Sequence, residues 1–226
     1  MSPDRSEQDG LGYAFLPAAG LHFLTPCFDV FSALLGFGRR FKARVVEAAG
    51  ISDGMRVLDV GCGTGLTALL IKQRYPGCTV TGLDVDPKIL KIARRRIARA
   101  GVGGVNLVCA PAENTGLDAA SFDVVLSTLV FHHLPPQIKE DAAREIARLT
   151  RAGGTFLLVD LGPLTKRAPI VSETEVRSPR RAYRSNTAEG LRRAFTVAGF
   201  QVSDERPPYN VLYRPWLFAL RATKLG

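Results

Sequence analysis

The chain has 226 residues, of which 46% are hydrophobic, and a mean hydropathy of +0.06. This length and composition predict one globular domain with a large core, or such a domain with a small cap, and they exclude a disordered chain. No stretch reaches the run of about 20 apolar residues that a membrane-spanning helix requires. The first ten residues are polar and carry no apolar signal core, so we expect a disordered tail over 1–10 and a cytoplasmic protein.

The net charge is +9, and residues 139–226 carry most of it, with 16 Lys and Arg against 9 Asp and Glu. Such a surface attracts nucleic acid, anionic lipid or an acidic substrate, and it is also the ordinary surface of a protein from an Arg-rich proteome. Charge alone does not choose among these. The four cysteines lie far apart without a CxxC pair, so we expect free thiols, no metal site and no disulfide framework.

Two helices are predicted before the first strand, Pro26–Leu35 and Arg39–Ala49, and they make residues 11–50 a helical N-terminal cap. Apolar runs then alternate with helical patterns, and "RAGG" at 151–154 is predicted as a turn. The alternation indicates βαβ units with right-handed crossovers, and therefore a doubly wound, mostly parallel α/β sheet. The predicted strands are Arg56–Val60, Thr79–Asp84, Val105–Cys109, Phe122–Ser127 and Thr155–Asp160, and the predicted helices are Thr64–Gln73, Pro87–Ala100 and Pro135–Leu149.

The alternation breaks at residues 161–186, a polar, basic and proline-bearing segment that we interpret as an insertion or lid. A helix over Thr187–Ala198 is predicted after it. Phe200–Arg206 and Leu212–Ala222 then have the pattern of two strands in a hairpin, joined by "PPYN". We therefore expect one domain over 51–226 that carries the basic insertion at about 161–186.

A glycine-rich loop, Gly61-Cys62-Gly63-Thr64-Gly65, lies between the first predicted strand and its helix, where such loops bind nucleotides. It is not the dinucleotide fingerprint GxGxxG, because the third glycine comes one position early and Leu66 stands in its place. It is not a Walker A loop, because no Gly-Lys-Ser/Thr follows. The loop is therefore not built for a pyrophosphate, which argues against the alternative of a Rossmann-type oxidoreductase.

Two acidic residues flank this loop. Asp59 lies in the strand before it, where a carboxylate repels a phosphate and attracts an ammonium group. Asp84 ends the next strand about 20 residues further on, where an acidic side chain binds ribose hydroxyls. The predicted site therefore fits a ligand that has a ribose, a cationic amine and little negative charge. S-adenosylmethionine has these features.

These segments together carry a family resemblance. "VLDVGCGTG" and "GLDVDPKILKIARRR" resemble motifs I and II of the class I S-adenosylmethionine-dependent methyltransferases. "SFDVVLSTLVFHHLP" resembles their fourth-strand motif, and "EIARLTRAGGTFLLVD" resembles the turn and fifth strand. The resemblance covers residues 50–160 in family order. It implies a Rossmann-like, seven-stranded sheet whose last strand inserts antiparallel beside the fifth.

The resemblance also implies roles for single residues. The methionine end of the cofactor would be held by Asp59 and by the loop residues Gly61, Cys62, Gly63, Thr64 and Gly65. Asp84 would bind the ribose, and Val85 would pack beside the adenine. Proline stands at 111 where the family has an acid, so adenine contacts would fall to Ala112 or Glu113. Ser127 and its neighbour Thr128 would lie under the sulfonium.

Two adjacent histidines, His132 and His133, follow the fourth strand at the sheet edge where ligands bind. Methyl transfer is an in-line displacement in which the protein mainly aligns the acceptor. A general base helps when the acceptor is a phenol, an enolizable ring carbon or an amine, and one histidine of this pair is our candidate. The alternative for His132 and for His133 is a packing or capping role without proton transfer.

The acceptor is the least determined part of the prediction. "HFLTPCFDVFSALLGFGRRFK" resembles the cap of the ubiquinone/menaquinone biosynthesis C-methyltransferases, and the broader type 11 methyltransferase group fits as well. We expect a small-molecule acceptor, quinone-like or otherwise apolar. The alternative is a phospholipid N-methyltransferase in peripheral contact with a membrane. The basic stretch Lys166–Arg184 favours this alternative, because it would attract anionic lipid.

Two further classes stay open. A nucleic-acid methyltransferase is disfavoured because "STLV" at 127–130 replaces the "N/D-P-P-Y/F" of amino-methylating enzymes. A non-catalytic binding module of the same fold would bind the cofactor without turnover. No obligate protein partner is indicated by the sequence.

Overall fold

The computed structural model describes residues 36–163, 185–205 and 217–226. The disordered tail, the first cap helix, most of the basic insertion and the hairpin connection were predicted for residues outside these ranges. The strands are β1 (Arg56–Val60), β2 (Thr79–Asp84), β3 (Val105–Cys109), β4 (Phe122–Thr128), β5 (Thr150–Leu161), β6 (Phe200–Glu205) and β7 (Leu217–Lys224). The α-helices are α1 (Arg39–Ala48), α2 (Leu66–Arg74), α3 (Pro87–Ala100), α4 (Pro136–Leu149) and α5 (Ala188–Val197), and a short 3₁₀ helix covers Phe131–His133.

The strands form one sheet in the order β3-β2-β1-β4-β5-β7-β6. Strands β1 to β5 pair in parallel, and β7 pairs antiparallel with both β5 and β6. The winding direction reverses between β1 and β4, which opens a crevice at their carboxyl ends, the usual ligand site of an open α/β sheet. This topology confirms the predicted Rossmann-like, seven-stranded sheet with an antiparallel C-terminal strand.

Helices cover both faces of the sheet. The crossovers β1–α2–β2 and β2–α3–β3 step in the same direction, so α2 and α3 lie on one face. Helix α1 lies there too, since Phe41 and Val45 share a core with residues of β1, β2 and β4. Helices α4 and α5 cover the other face, where Ile146 and Phe195 pack around Phe156 of β5. No helix of the described ranges is long and apolar enough to cross a membrane.

The predicted "RAGG" turn lies inside β5 instead of before it. Phe122 pairs with Thr150 and Val124 pairs with Thr155, so the four residues 151–154 oppose only Asp123 on β4. Extra residues on one strand of a pair form a bulge, which keeps the strand in the sheet while bending it. The prediction of a turn was therefore wrong, because the two glycines lie in a bulge within β5.

The start of the first crossover helix also differs from the prediction. Helix α2 begins at Leu66 and not at Thr64, since Gly65 before it has a left-handed φ of +74°. A residue in that conformation stands outside a right-handed helix. The whole glycine loop is consequently available as irregular backbone at the edge of the crevice.

Candidate cofactor and acceptor site

The glycine loop crosses the carboxyl ends of β1 and β2. The N–H groups of Gly61 and Cys62 both donate to the carbonyl oxygen of Leu83, at 2.7 and 2.9 Å, and the N–H of Gly65 donates to Cys62 O at 3.0 Å. The three glycines have φ values of +73°, +54° and +74°, which residues with a Cβ adopt only at a cost. The result is a bend that is pinned to the end of β2, with Gly61 and Gly63 half-buried and the other three residues buried.

Close packing is a second reason for a glycine at the start of this loop. A Cβ added to Gly61 would lie 2.2 Å from Cγ2 of Val130, the second residue after β4. On the far side, Arg96 of α3 donates from Nη1 to the carbonyl oxygen and the hydroxyl of Thr64, at 2.9 and 2.5 Å. The loop is therefore fixed between the acceptor side of the crevice and α3.

Asp84 is held at the end of β2 by backbone donors. Its Oδ2 accepts from the N–H of Gly63 at 2.8 Å, and its Oδ1 accepts from the N–H of Asp86 at 3.0 Å. Burial raises the pKa of this carboxyl, and the backbone hydrogen bonds oppose the effect. Each carboxylate oxygen has a second lone pair beyond these contacts, so the side chain can accept from two vicinal hydroxyls, as a ribose requires.

Asp86 is the cap of the next helix and not part of the site. Its carboxylate accepts from the N–H of Lys88 at 2.8 Å, and Pro87 occupies the first helical position. This is the usual start of a helix. The structure thus separates the two neighbouring acids, giving Asp84 to the crevice and Asp86 to helix α3.

Asp59 is a buried carboxylate, only 1% exposed, at the end of β1. Neither of its oxygens has a partner at hydrogen-bond geometry among the described residues, although the Thr67 hydroxyl lies near enough to lower its pKa. Burial raises its pKa to about 6, and the positive charge of Lys42 on α1 partly offsets that effect. An unpartnered buried carboxylate is costly unless a cation or donor approaches it. These residues therefore fit a nucleoside with an ammonium end, as the sequence predicts.

Of the residues predicted to contact the adenine, Val85 lies at the crevice, whereas Ala112 and Glu113 lie beside α4. Val85 is half-buried directly after Asp84, and the N–H of Ala110 donates to Asp84 O at 3.2 Å, which brings the chain after β3 to the crevice. Ala112 packs on the core beside α4. Glu113 lines a groove against α4. The adenine roles of Val85, Ala112 and Glu113 stay predictions.

The end of β4 carries two buried hydroxyls. Ser127 donates from Oγ to the carbonyl oxygen of Val60 at 3.0 Å, so its proton is used to join β4 to β1. Thr128 is buried too, and its Oγ1 has no partner among the described residues. Leu129 follows with φ of +62°, a strained conformation for a bulky residue. Strain of this kind clusters at functional sites, and here it turns the chain toward the histidines.

The two histidines differ sharply in their surroundings. His132 places Nδ1 2.5 Å from Oδ1 of Asp160, and its backbone N–H donates to Oδ2 of the same carboxylate at 3.3 Å. Asp160 is fully buried near the end of β5. A carboxylate on Nδ1 fixes the proton there and makes Nε2 the basic ring nitrogen. The pair therefore has the arrangement of a base with its orienting acid.

His133 is exposed at the mouth of the crevice, and its ring lies 3.9 Å from that of His132 between centroids. Desolvation by the surrounding protein, followed by the charge of His132, lowers its pKa below the usual value of a histidine. His133 is then neutral near pH 7, and no carboxylate in the described part of the chain is hydrogen-bonded to its ring.

A buried lysine and asparagine stand near this pair. Lys139, in the first turn of α4, is 4% exposed and donates from Nζ to Ser185 Oγ at 2.9 Å. Burial lowers its pKa to about 7, and the carboxylate of Asp160 opposes that effect. Asn186 is fully buried, donates to Leu161 O at 2.7 Å, and has no partner for Oδ1 among the described residues.

Sequence reasoning did not find Asp160, Lys139 or Asn186. Asp160 carried a usable signal, since it ends an apolar strand as Asp84 does, and the carboxyl ends of parallel strands meet at one edge. Lys139 and Asn186 carried none. Of the acid, histidine and cysteine residues in the described ranges, no group has the arrangement of a metal site.

A parallel sheet that reverses at β1 and β4, with a glycine loop after β1 and an acid ending β2, defines a nucleoside-binding α/β enzyme. The comparisons agree with this class and narrow it. A methyltransferase-domain family model matches residues 57–154. The demethylmenaquinone methyltransferase of Thermus thermophilus is 33% identical over 147 residues, which are 64% of this chain and 66% of that protein.

A second relative, the ubiquinone/menaquinone biosynthesis C-methyltransferase UbiE of Shewanella halifaxensis, is 31% identical over 172 residues, 71% of this chain and 68% of that protein. Among solved structures, phosphoethanolamine N-methyltransferase 2 of Haemonchus contortus in complex with S-adenosyl-L-methionine matches with a TM-score of 0.66 at 19% identity. That match covers 84% of this chain and 53% of the other, and it shows the fold alone.

The chain belongs to the class I S-adenosylmethionine-dependent methyltransferases. Its cofactor is S-adenosylmethionine, as the sequence predicts. The matched segments span about two thirds of the two quinone-pathway relatives, so acceptor and pathway are not transferred with the family.

Proposed function

We propose that this chain methylates a reduced quinone, a hydroxylated aromatic ring with apolar character, on a ring carbon. The His132–Asp160 pair carries the proposal, because it supplies an oriented base beside the cofactor loop. Val130, two residues before His132, packs on Gly61 of that loop. Both quinone-pathway relatives named above are methyltransferases of this acceptor class, which supports the proposal.

The chemistry follows from the residues at the end of β4. S-adenosylmethionine supplies an electrophilic methyl group on a positively charged sulfur. His132 Nε2 accepts the proton of a ring hydroxyl, and the buried carboxylate of Asp160 stabilises the imidazolium that forms. The ring carbon next to the resulting oxyanion forms the new bond to the methyl carbon while the carbon–sulfur bond breaks. Loss of the ring C–H proton to water, with return of the proton from His132 to the ring oxygen, then restores the aromatic hydroxyl.

The apolar character of the acceptor agrees with the wider surroundings of the pair. Phe131 is fully buried beneath the histidines and packs on Phe156 and Phe195. A dry surrounding strengthens the interaction of His132 with Asp160 and keeps water from the methyl group. Cytoplasmic location belongs to this proposal as well. The phospholipid alternative rests on the basic stretch Lys166–Arg184 alone, because the match to a phosphoethanolamine N-methyltransferase at 19% identity shows only the fold.

The test is methyl transfer to defined acceptors. Purified protein is incubated with trideuteromethyl-labelled S-adenosylmethionine and either a short-chain 1,4-naphthohydroquinone with an unsubstituted ring carbon or phosphoethanolamine. We expect a mass increase of the naphthohydroquinone that fragmentation places on the ring carbon. Label on nitrogen or on oxygen only, or no label while calorimetry shows cofactor binding, would contradict the proposal.

A variant of Asp160 provides the internal control. Asp160→Asn keeps the size of the side chain but removes the charge that stabilises the imidazolium, so turnover should fall by about 100-fold or more. The dissociation constant of the cofactor should change by less than about threefold, because Asp160 lies outside the glycine loop. A purely structural Asp160 would leave the pH–rate profile unchanged, whereas a positioning role shifts it.

A further inference from the structure

The two helical layers of the sheet carry very different charge. Helices α1, α2 and α3 contain twelve Lys and Arg and a single acid, Glu47. Helices α4 and α5 on the opposite face contain five basic and four acidic residues. The three helices of one face therefore carry a net charge of +11, which exceeds the net charge of +9 of the whole chain. The net charge of the N-terminal half of the sequence does not reveal this concentration of charge, because acidic residues elsewhere in that half offset the positive charge of α1, α2 and α3.

Nine of the twelve basic side chains are exposed, and we call them the basic face. On α3 they form one stripe, with Lys88, Lys91, Arg95 and Arg99 opposite the buried residues of the helix. That spacing keeps the charges on one side of a helix. The members of the basic face are Arg39, Arg40, Arg44, Arg74, Lys88, Lys91, Arg94, Arg95 and Arg99.

The basic face borders the mouth of the site. Helix α3 starts directly after Asp84, at the carboxyl edge of the sheet, and its Arg96 is bonded to Thr64 of the glycine loop. Arg39, the first residue of α1, donates from Nη2 to Oε1 of Gln73 in the last turn of α2 at 2.8 Å, so α1 and α2 are joined on this face. Lys42 of α1 is near enough to Asp59 to offset part of its burial. A flat partner on the basic face would thus meet the rim of the crevice.

We propose that the basic face docks the enzyme on an anionic lipid bilayer, with the mouth of the site turned toward the bilayer surface. Each Lys or Arg near such a surface strengthens binding about fivefold. The choice of lipid over other polyanions rests on the proposed function, because an apolar acceptor partitions into a bilayer. The exposed residues of α1, α2 and α3 include no aromatic side chain, so the stacking that single-stranded nucleic acid requires is missing there.

The test is binding to vesicles of stated composition. Cosedimentation is measured with vesicles of phosphatidylcholine and phosphatidylglycerol at 7:3, with pure phosphatidylcholine, and with duplex DNA as a competitor. We expect binding to the anionic vesicles only, reduced at least tenfold between 0.1 and 0.5 M NaCl because salt screens exposed charges. Absence of binding to anionic vesicles, or displacement by DNA at equal charge concentration, would overturn the proposal.

Two double variants with the same change in net charge locate the surface. Lys91→Glu with Arg95→Glu reverses two charges of the stripe, and we expect at least a tenfold loss of vesicle binding. Arg144→Glu with Arg193→Glu reverses two exposed charges on α4 and α5, and we expect a loss below about threefold. Equal losses in both would show that net charge alone acts and would refute a docking face.

The test of membrane docking can fail independently of the test of the proposed function. Lys91→Glu with Arg95→Glu should leave methyl transfer to a water-soluble naphthohydroquinone within twofold, and should lower transfer to a long-chain acceptor carried in anionic vesicles. If the acceptor class is wrong, no quinol is methylated but vesicle binding persists. If docking is wrong, the soluble quinol is methylated and vesicle binding is absent.

Discussion

The two sides of the crevice are built in opposite ways. The predicted cofactor side consists of Asp59, the loop 61–65 and Asp84, all within 26 consecutive residues, and it is held mainly by backbone hydrogen bonds to the end of β2. The acceptor side gathers His132, Lys139, Asp160 and Asn186 from separate elements, and it is held by side chains. A fixed cofactor needs one local cradle, whereas an acceptor site takes its chemistry from residues brought together by the whole sheet.

The largest expected effect comes from breaking the acceptor side alone. His132→Asn places an amide N–H where Nδ1 donates to Asp160, so the buried carboxylate keeps a donor while the base is lost. General bases contribute about 100- to 10,000-fold, and we expect kcat to fall by that factor. Cofactor affinity, measured by calorimetry, should stay within threefold. A variant with full turnover would remove His132 from proton transfer.

The next largest effect comes from breaking the cofactor side alone. Asp59→Asn removes the buried carboxylate that we predict to face the ammonium end of the cofactor, and loss of one partner of a buried ion pair costs about 2–5 kcal/mol. We expect the dissociation constant of S-adenosylmethionine to rise about 30-fold to several thousand-fold. Asp59→Glu is the matched control for charge, and unchanged affinity in Asp59→Asn would contradict the assignment.

The same substitution should stabilise the protein without cofactor. The pKa of Asp59 is raised to about 6 in the folded state, so between about pH 4 and pH 6 the folded protein holds a proton that the unfolded chain has lost. Stability therefore increases as the pH falls through this range, and above pH 6 the ionised carboxylate destabilises the fold by about 3 kcal/mol. Urea unfolding of Asp59→Asn should show a gain of that order at pH 7.5 that vanishes near pH 4.

The contrast between the two sides also explains which features could be predicted from the sequence and which could not. Strands β1, β2 and β3 were predicted with their observed bounds, because each is a short apolar run with a clear end: Gly61 follows β1, Asp84 ends β2, and Ala110 and Pro111 follow β3. Asp59, the glycine loop and Asp84 could be predicted as cofactor residues because their spacing along the chain is the signal. Asp160 and Lys139 lie 28 and 7 residues from His132, and only strand pairing of β4 with β5 and the packing of α4 bring them together.

A smaller effect is expected where the two sides touch. Gly61→Ala introduces a Cβ 2.2 Å from Val130 at a φ of +73°, and we expect a loss of about 2–5 kcal/mol in the free energy of unfolding. Gly116→Ala is the matched control, since its φ is +69° and nothing lies within 4 Å of its Cβ position, so only the backbone strain of about 1–2 kcal/mol remains. Equal losses in the two variants would show that contact with Val130 costs nothing.

The smallest effect separates the two histidines. His133→Asn makes the same chemical change as His132→Asn at the neighbouring position, but no carboxylate orients His133, and its lowered pKa leaves it neutral near pH 7. Its remaining contribution is the ring contact with His132 at 3.9 Å, for which about 0.5–1 kcal/mol is typical of aromatic pairs. We therefore expect kcat to fall by no more than about fivefold, with the pH–rate profile between pH 6 and 8 unchanged. If His133→Asn instead lowers kcat as far as His132→Asn does, the pair acts jointly and Asp160 does not select the base.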